Sequence, residues 1–141
     1  IIHGALCGDA PPIDIEHEKR VQQACLAAIR LGLVKSAHDC SEGGLAVAVA
    51  ESCIHGSLGA RIQWNNSRLR DDFRLFGEDQ SRIVLTTSDP DRLLGLCSEW
   101  QVDAEQVGIV GGRQLSFGAV VELELSEMKR AYSDCIRNVM G

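Results

Sequence analysis

The sequence predicts an α/β fold of the α+β kind, a mixed sheet with split βαβ, ferredoxin-like units covered by helices, and three observations predict it. Hydrophobic periodicity runs along the chain in the order α-β-α-β-β-α-β-β-β-α, the pattern of helices laid on a sheet. Aromatic residues make up 4% of the chain while hydrophobic residues make up 45%, so the core is expected from Leu, Ile, Val and Ala. A length of 141 residues suits one such core and one domain.

Residues 1–12 carry Gly4, Gly8, Pro11 and Pro12 and read as a linker, with 13–141 as a single domain. The chain opens on Ile1 and not on Met, so a processed chain or a piece of something longer is expected. Asp14 is placed to cap a first helix, Glu16 and Glu18 suit the positive end of its dipole, and Val21, Cys25, Ala28 and Ile29 repeat at helical spacing. Gly32 ends it, with Leu33 available for the apolar contact beyond a glycine C-cap. Val34 to Asp39 is a short strand, followed by a glycine turn and a helix from about Gly44 to His55 with Leu45, Val49 and Cys53 on one face. Ala60, Ile62 and Trp64 alternate with Arg61 and Gln63 as in a half-buried strand. Asn65 to Phe76 reads as a loop with one helical turn.

Ile83 to Thr87 is a β-branched run, and Asp89-Pro90 sets an N-cap and a first-turn proline before Leu93, Leu96, Cys97 and Trp100. Gln106 to Val110, Gln114 to Phe117 and Val120 to Leu125 read as strands, the first two joined through Gly111-Gly112 as a hairpin tip. Ser126 opens a last helix whose apolar stripe is Met128, Ala131, Tyr132, Cys135, Ile136 and Val139.

Fourteen basic against twenty acidic side chains give a net charge of -6, a field that repels polyanions and argues against nucleic acid as a partner. A small phosphate-bearing metabolite stays open, because backbone N–H groups and local cations can hold it against the net charge. Neither a bilayer-spanning apolar run nor a signal-peptide pattern is present, so no membrane partner is expected. The six cysteines show no C-x-x-C pair and no zinc-site spacing, and free thiols in a reducing compartment are the expectation.

Chemistry concentrates in Ser36-Ala37-His38-Asp39-Cys40-Ser41-Glu42-Gly43-Gly44-Leu45, with polar side chains at a strand's end and glycines where a helix begins. Gly43 and Gly44 leave first-turn N–H groups open to approach, and the helix dipole favours an anion there. Asp39 is a candidate Mg²⁺ ligand, since that hard cation takes oxygen donors and bridges to phosphates. The plainer reading, which physics alone favours, has Asp39 or Ser41 capping the helix, His38 as a satisfied half-buried histidine and the glycines serving a sharp turn. A second cluster, Phe76-Gly77-Glu78-Asp79-Gln80-Ser81-Arg82, precedes the buried strand and can converge on the first at one sheet edge. Its plainer reading is a solvated turn with Arg82 as a surface ion partner.

The run from Gly32 through Ser36-Ala37-His38-Asp39-Cys40-Ser41-Glu42-Gly43-Gly44 to Glu51 resembles the second carboxy-terminal-type domain of the phosphoribosylformylglycinamidine synthase family, in its small, glutaminase-free form. The resemblance extends more loosely from Gly8 to Met140, taking in Pro11-Pro12, Phe76 to Arg82 and Gly111-Gly112 in the family's order. Aminoimidazole ribonucleotide synthetase, selenophosphate synthetase, thiamine-monophosphate kinase and a hydrogenase maturation factor share the domain type. Their glycine loops differ: the aminoimidazole enzyme carries Thr and a run of glycines after its His, and the thiamine kinase a shorter Asp-x-Ser-Asp-Gly loop. The aminoimidazole enzyme is the alternative.

The resemblance implies a carboxy-terminal domain of a longer cytoplasmic synthase that converts formylglycinamide ribonucleotide to the amidine in purine biosynthesis. It implies ATP and Mg²⁺ as cofactors, with ammonia delivered by a glutamine amidotransferase subunit and a small accessory subunit completing the complex. ATP would phosphorylate the amide oxygen, making it a leaving group that ammonia displaces. The family's catalytic histidine and main ATP contacts lie in regions outside these residues, so no catalytic residue is assigned here and the 141 residues alone are expected to be inactive. In the family's earlier half the position resembling Asp39 binds metal, and an acidic-Ser-Gln triplet resembling Glu78-Asp79-Gln80 contacts substrate. His38 and Asp79 depart from that pattern, which has Gln and Ser there, and the late half forms an auxiliary nucleotide site with a structural role. The resemblance therefore implies an auxiliary nucleotide or phosphate site lined by Ser41, Gly43, Gly44, Glu78 and Gln80, with Asp39 as metal ligand. A scaffold domain that covers the central barrel is the alternative of another class.

Overall fold

The computed structural model describes the backbone of residues 13–64 and 70–140, and the side chains of these up to residue 134. The expected linker 1–12, the start of the loop at 65–69, and the stripe positions Cys135, Ile136 and Val139 as side chains lie outside the described residues. In chain order the elements are α1 (Ile15–Arg30), β1 (Ser36–Asp39), α2 (Gly44–Gly56), β2 (Ala60–Ile62), α3 (Asp71–Phe76), β3 (Ile83–Thr86), α4 (Pro90–Glu99), β4 (Gly108–Val110), β5 (Gln114–Phe117), β6 (Val121–Glu124) and α5 (Leu125–Met140). The mixed α+β class is as expected, and α3 is a helix where the sequence suggested a loop with a single turn.

Local chemistry sets α1 at both ends. The Asp14 carboxylate accepts from the amides of Glu16 and His17 at 3.0 Å each, satisfying donors that a helix start leaves free. At the other end Gly32, at φ +70°, lets its own N–H reach Ile29 O and that of Leu33 reach Ala28 O, both at 3.0 Å. This is a Schellman ending, and Leu33 is buried beyond it.

The strands form two sheets. β1 and β3 make an antiparallel ribbon, with Ser36 opposite Thr86 and Asp39 opposite Ile83. The larger sheet has the order β4-β2-β5-β6, with β2 parallel to β5 and the outer pairs antiparallel. The expected hairpin across Gly111-Gly112 is therefore corrected: β2 lies between β4 and β5. The glycines cross the end of β2, where Gly111 N–H donates to Gly59 O at 2.8 Å and Gly59 N–H donates to Gly112 O at 3.0 Å. A tight hairpin would leave one edge of β2 without a partner, and buried backbone groups must be paired.

Two apolar clusters fill the space between these layers. The larger joins Leu45, Val49 and Cys53 of α2 to Ile62, Leu115 and Phe117 of the sheet, and to Leu75, Leu125 and Met128. Leu115 and Phe117 alternate with half-buried Ser116, the period-two pattern of a strand with one packed face. The smaller cluster sets Ala28 of α1 against Leu93 and Cys97 of α4, over Val34 and Leu85. On α5 the expected stripe is corrected at Tyr132, which is 52% exposed and meets the His55 ring edge-on at 6.1 Å between centroids. Cys25, Cys40, Cys53 and Cys97 are free thiols. Among the described residues no helix is long and apolar enough to cross a membrane.

Candidate functional site

β1 carries the chain into a turn that ends in two left-handed glycines, Gly43 at φ +76° and Gly44 at φ +64°, and α2 starts there. Gly43 is the N-cap and no side chain caps this helix, so neither Asp39 nor Ser41 plays the capping role that the plainer reading gave them. The donor that Gly43 presents is engaged by the chain itself: its N–H donates to Glu78 Oε1 at 2.8 Å. The two polar clusters, 35 residues apart, thus meet at the start of α2.

Gly44 has a different task. A Cβ built on it would lie 2.7 Å from Gly77 O and 2.9 Å from Leu75 O and the Phe76 carbonyl carbon, all of them backbone atoms. The end of α3 therefore sits directly on Gly44, which is buried. The Arg82 guanidinium holds that end in place, donating to Gly77 O at 2.9 Å and to Arg74 O at 3.2 Å, with Asp79 Oδ2 at 4.0 Å. Charged donors near a helix C-terminus satisfy carbonyls that lack intrahelical partners. Arg82 is a tie between elements, more than the surface ion partner the sequence suggested.

Asp39 stands at the end of β1 with its side chain 72% exposed, 3.8 Å from His38 Nδ1. His38 is half-buried, with Nδ1 2.7 Å from Asp39 O and Nε2 2.9 Å from Glu51 Oε2, so the ring links the end of β1 to α2. Ser41 and Gln80 are exposed. Among the described residues no group of three or more His, Cys, Asp and Glu is placed to hold a metal. A single exposed carboxylate does fit Mg²⁺ in its usual protein mode, in which one or two carboxylates share the ion with waters and substrate phosphates. It does not fit an all-protein cage.

Cys40, next to Asp39, is buried, and burial pushes its thiol up from the ordinary range; Arg82 pulls it back and Asp39 pushes it further up. It remains a neutral thiol, without the thiolate that nucleophilic chemistry requires. The groups that the turn offers are carboxylates, amides and a hydroxyl, which are suited to holding a ligand and not to nucleophilic attack. Sequence reasoning missed the His38–Glu51 link and the Arg82 tie. The thirteen-residue separation of His38 and Glu51 across a turn carries no periodic signal, whereas Arg82 followed a helix end that acidic Asp71-Asp72 at its start could have revealed.

Residues 3–121 match the family described as AIR synthase related protein, C-terminal domain. The chain is 42% identical over 145 residues to the phosphoribosylformylglycinamidine synthase subunit PurL of Moorella thermoacetica, covering 99% of this chain and 20% of that relative. It is 41% identical over 133 residues to the same-named subunit of Thermomicrobium roseum, covering 89% of this chain and 18% of the relative. The chain spans about a fifth of the length of the curated relatives it matches. Among solved structures, phosphoribosylformylglycinamidine synthase II of Thermotoga maritima superposes with a TM-score of 0.72 at 23% identity, covering 84% of this chain and 22% of that one. T. maritima PurL complexed with ATP gives a TM-score of 0.71 at 23% identity, over 83% and 22%. These likenesses agree with the mixed α+β fold. By the family match over most of its length, the chain belongs to the AIR synthase related proteins, as their C-terminal domain.

Proposed function

We propose that this chain is the carboxy-terminal domain of a phosphoribosylformylglycinamidine synthase, the ATP-dependent ligase that converts formylglycinamide ribonucleotide to the amidine. The observation that carries it is identity of 42% spread over 99% of the chain with a relative of that name. T. maritima PurL has been solved complexed with ATP and with FGAR, and a PurLQS structure exists from the same organism, which supports nucleotide, substrate and partner subunits here. The glutamine amidotransferase and small accessory subunits, and a cytoplasmic location, belong to this reading. Residues 1–12 then serve as linker and 13–141 as the domain.

Within it, Ser41, Gly43, Gly44, Glu78 and Gln80 line an auxiliary phosphate site and Asp39 holds Mg²⁺, which offsets phosphate charge. Glu78 keeps the Gly43 donor aligned, and an anion at the turn competes with that carboxylate. Gly44 keeps α3 close, which holds Glu78 and Gln80 beside the turn. The scaffold reading is favoured by those same two contacts, since both donors and space at the turn are already used by the chain.

Calorimetry on the full-length chain with Asp39→Ala and Gln80→Ala separates the two. Both side chains are exposed, so folding survives the change. The site reading expects fewer nucleotides bound per chain; unchanged stoichiometry in both variants rejects it and leaves the scaffold. The activity is tested with the full-length chain, ATP, formylglycinamide ribonucleotide and ammonia, and absence of amidine would reject the synthase assignment. The 141 residues alone are expected to show no turnover.

A further inference from the structure

Among the described residues, three that are not glycine stand at positive φ, and two of them, Ser57 and Gln101, lie just past the ends of α2 and α4, where left-handed endings are common. Ser81, at φ +63°, does not: it lies in the loop 77–82 that joins α3 to β3. A residue with a Cβ keeps such a conformation only where its surroundings hold it there, and Ser81 is held from a distance. Its hydroxyl donates to Glu18 Oε2, 63 residues away in the first turn of α1, while Gln22 Nε2 donates to Glu18 Oε1 at 2.6 Å. Both carboxylate oxygens are engaged, and the Ser81 hydroxyl, then the Gln22 amide, hold the Glu18 carboxyl below its ordinary range. The loop that Glu18 reaches carries Glu78 and Gln80. Its other anchor is Arg82, whose guanidinium donates to Gly77 O at 2.9 Å and whose carbonyl accepts from Cys40 N–H at 3.0 Å. Between these two anchors the Glu78 carboxylate stands on the Gly43 amide at 2.8 Å.

We propose that Glu18 is a positioning residue for the Gly43-Gly44 turn: acting through Ser81, it holds the loop 77–82 in the shape that keeps Glu78 on the Gly43 amide. α1 thereby sets how far the turn is closed to an anion, since the amide that a phosphate would use is covered for as long as the loop keeps that shape. The use of the device rests on the reading of the turn as a phosphate site, whereas the coupling of Glu18 to Gly43 stands on the contacts themselves.

Hydrogen exchange of the Gly43 amide in the full-length chain, localised by fragmentation in the mass spectrometer, tests the coupling. Glu78→Ala marks the rate of the uncovered amide. Glu18→Ala and Ser81→Ala are each expected to speed Gly43 exchange about tenfold, the factor that follows from losing a hydrogen bond to a charged group, and the double variant no further than either alone. Glu18→Gln keeps an oxygen for the Ser81 hydroxyl and should restore most of the parent's slow exchange. Asp14→Ala controls for plain loosening of α1, because it removes the cap at the same helix start without touching Ser81, and it should leave Gly43 exchange unchanged. Unchanged exchange in Glu18→Ala overturns the proposal, as does a Gln variant no slower than the Ala one. So does an equal rise in Asp14→Ala, or a parent amide that already exchanges as fast as in Glu78→Ala. The phosphate site fails independently, on the nucleotide stoichiometry of Asp39→Ala and Gln80→Ala: unchanged stoichiometry beside a faster Gly43 in Glu18→Ala would sink the site and leave the positioning role standing.

Discussion

Replacing Gly44 with Ala applies two penalties that can be measured apart. The residue sits at φ +64°, a left-handed conformation that costs an L-residue about 1–2 kcal/mol. The new methyl would also lie 2.7–2.9 Å from three backbone atoms of residues 75–77, none of which can swing aside as a side-chain tip can. Overpacking of this kind costs about 1–3 kcal/mol, so the sum is roughly 2–5 kcal/mol. Gly32→Ala is the control: it shares a φ of +70° but has nothing within 4 Å of the built Cβ, so only the conformational penalty applies. In urea unfolding followed by far-UV circular dichroism, Gly44→Ala is expected to lower the midpoint by about 1–3 M and Gly32→Ala by at most about half as much, both with unchanged slope. Equal shifts for the two variants would refute the claim that α3 rests on Gly44. The glycine would then be serving conformation alone, and its open side would be free for a ligand.

Arg82→Ala is expected to cost about 1.5–3 kcal/mol in the same assay, since charged donors leave two helix-end carbonyls. Arg82→Lys should recover only part of it, because an ammonium lacks the planar fork that reaches both oxygens; full recovery would count against the tie. Asp14 is held below its ordinary value of 3.8 by the amide of His17 and then that of Glu16. A depressed carboxylate contributes stability above its unfolded pKa and loses it as pH falls through the folded one. Asp14→Ala should therefore destabilise at pH 7, and its gap to the parent should close on acidification below 3.8; a gap independent of pH would dismiss the charged cap. Burial pushes the thiols of Cys25, Cys40, Cys53 and Cys97 all upward, so exposure sets their order: among these four, maleimide should modify half-buried Cys25 first and the buried three only on unfolding. Rapid native labelling of Cys53 would show that α2 opens readily.

Where a feature was written in residues close along the chain, the sequence by itself determined it. Asp14 and Gly32 bound α1 because capping uses groups within a few positions of the helix end. The faces of α2 and β5 follow from periodicity, which needs only the local repeat and one buried side. Both polar clusters at the candidate turn could be named because unusual residue types stand together in the chain. Tertiary structure alone decided what those residues do to one another. Only folding places Glu78 on the Gly43 amide and the end of α3 on Gly44, turning glycines that look open into a packed contact. Only folding inserts β2 between β4 and β5, because the neighbours of an inner strand are whichever segments the whole chain brings beside it, and those lie far along the sequence. The outward turn of Phe73 and Phe76 has the same origin: a six-residue helix can bury one side, and the core beneath α3 had room for Leu75.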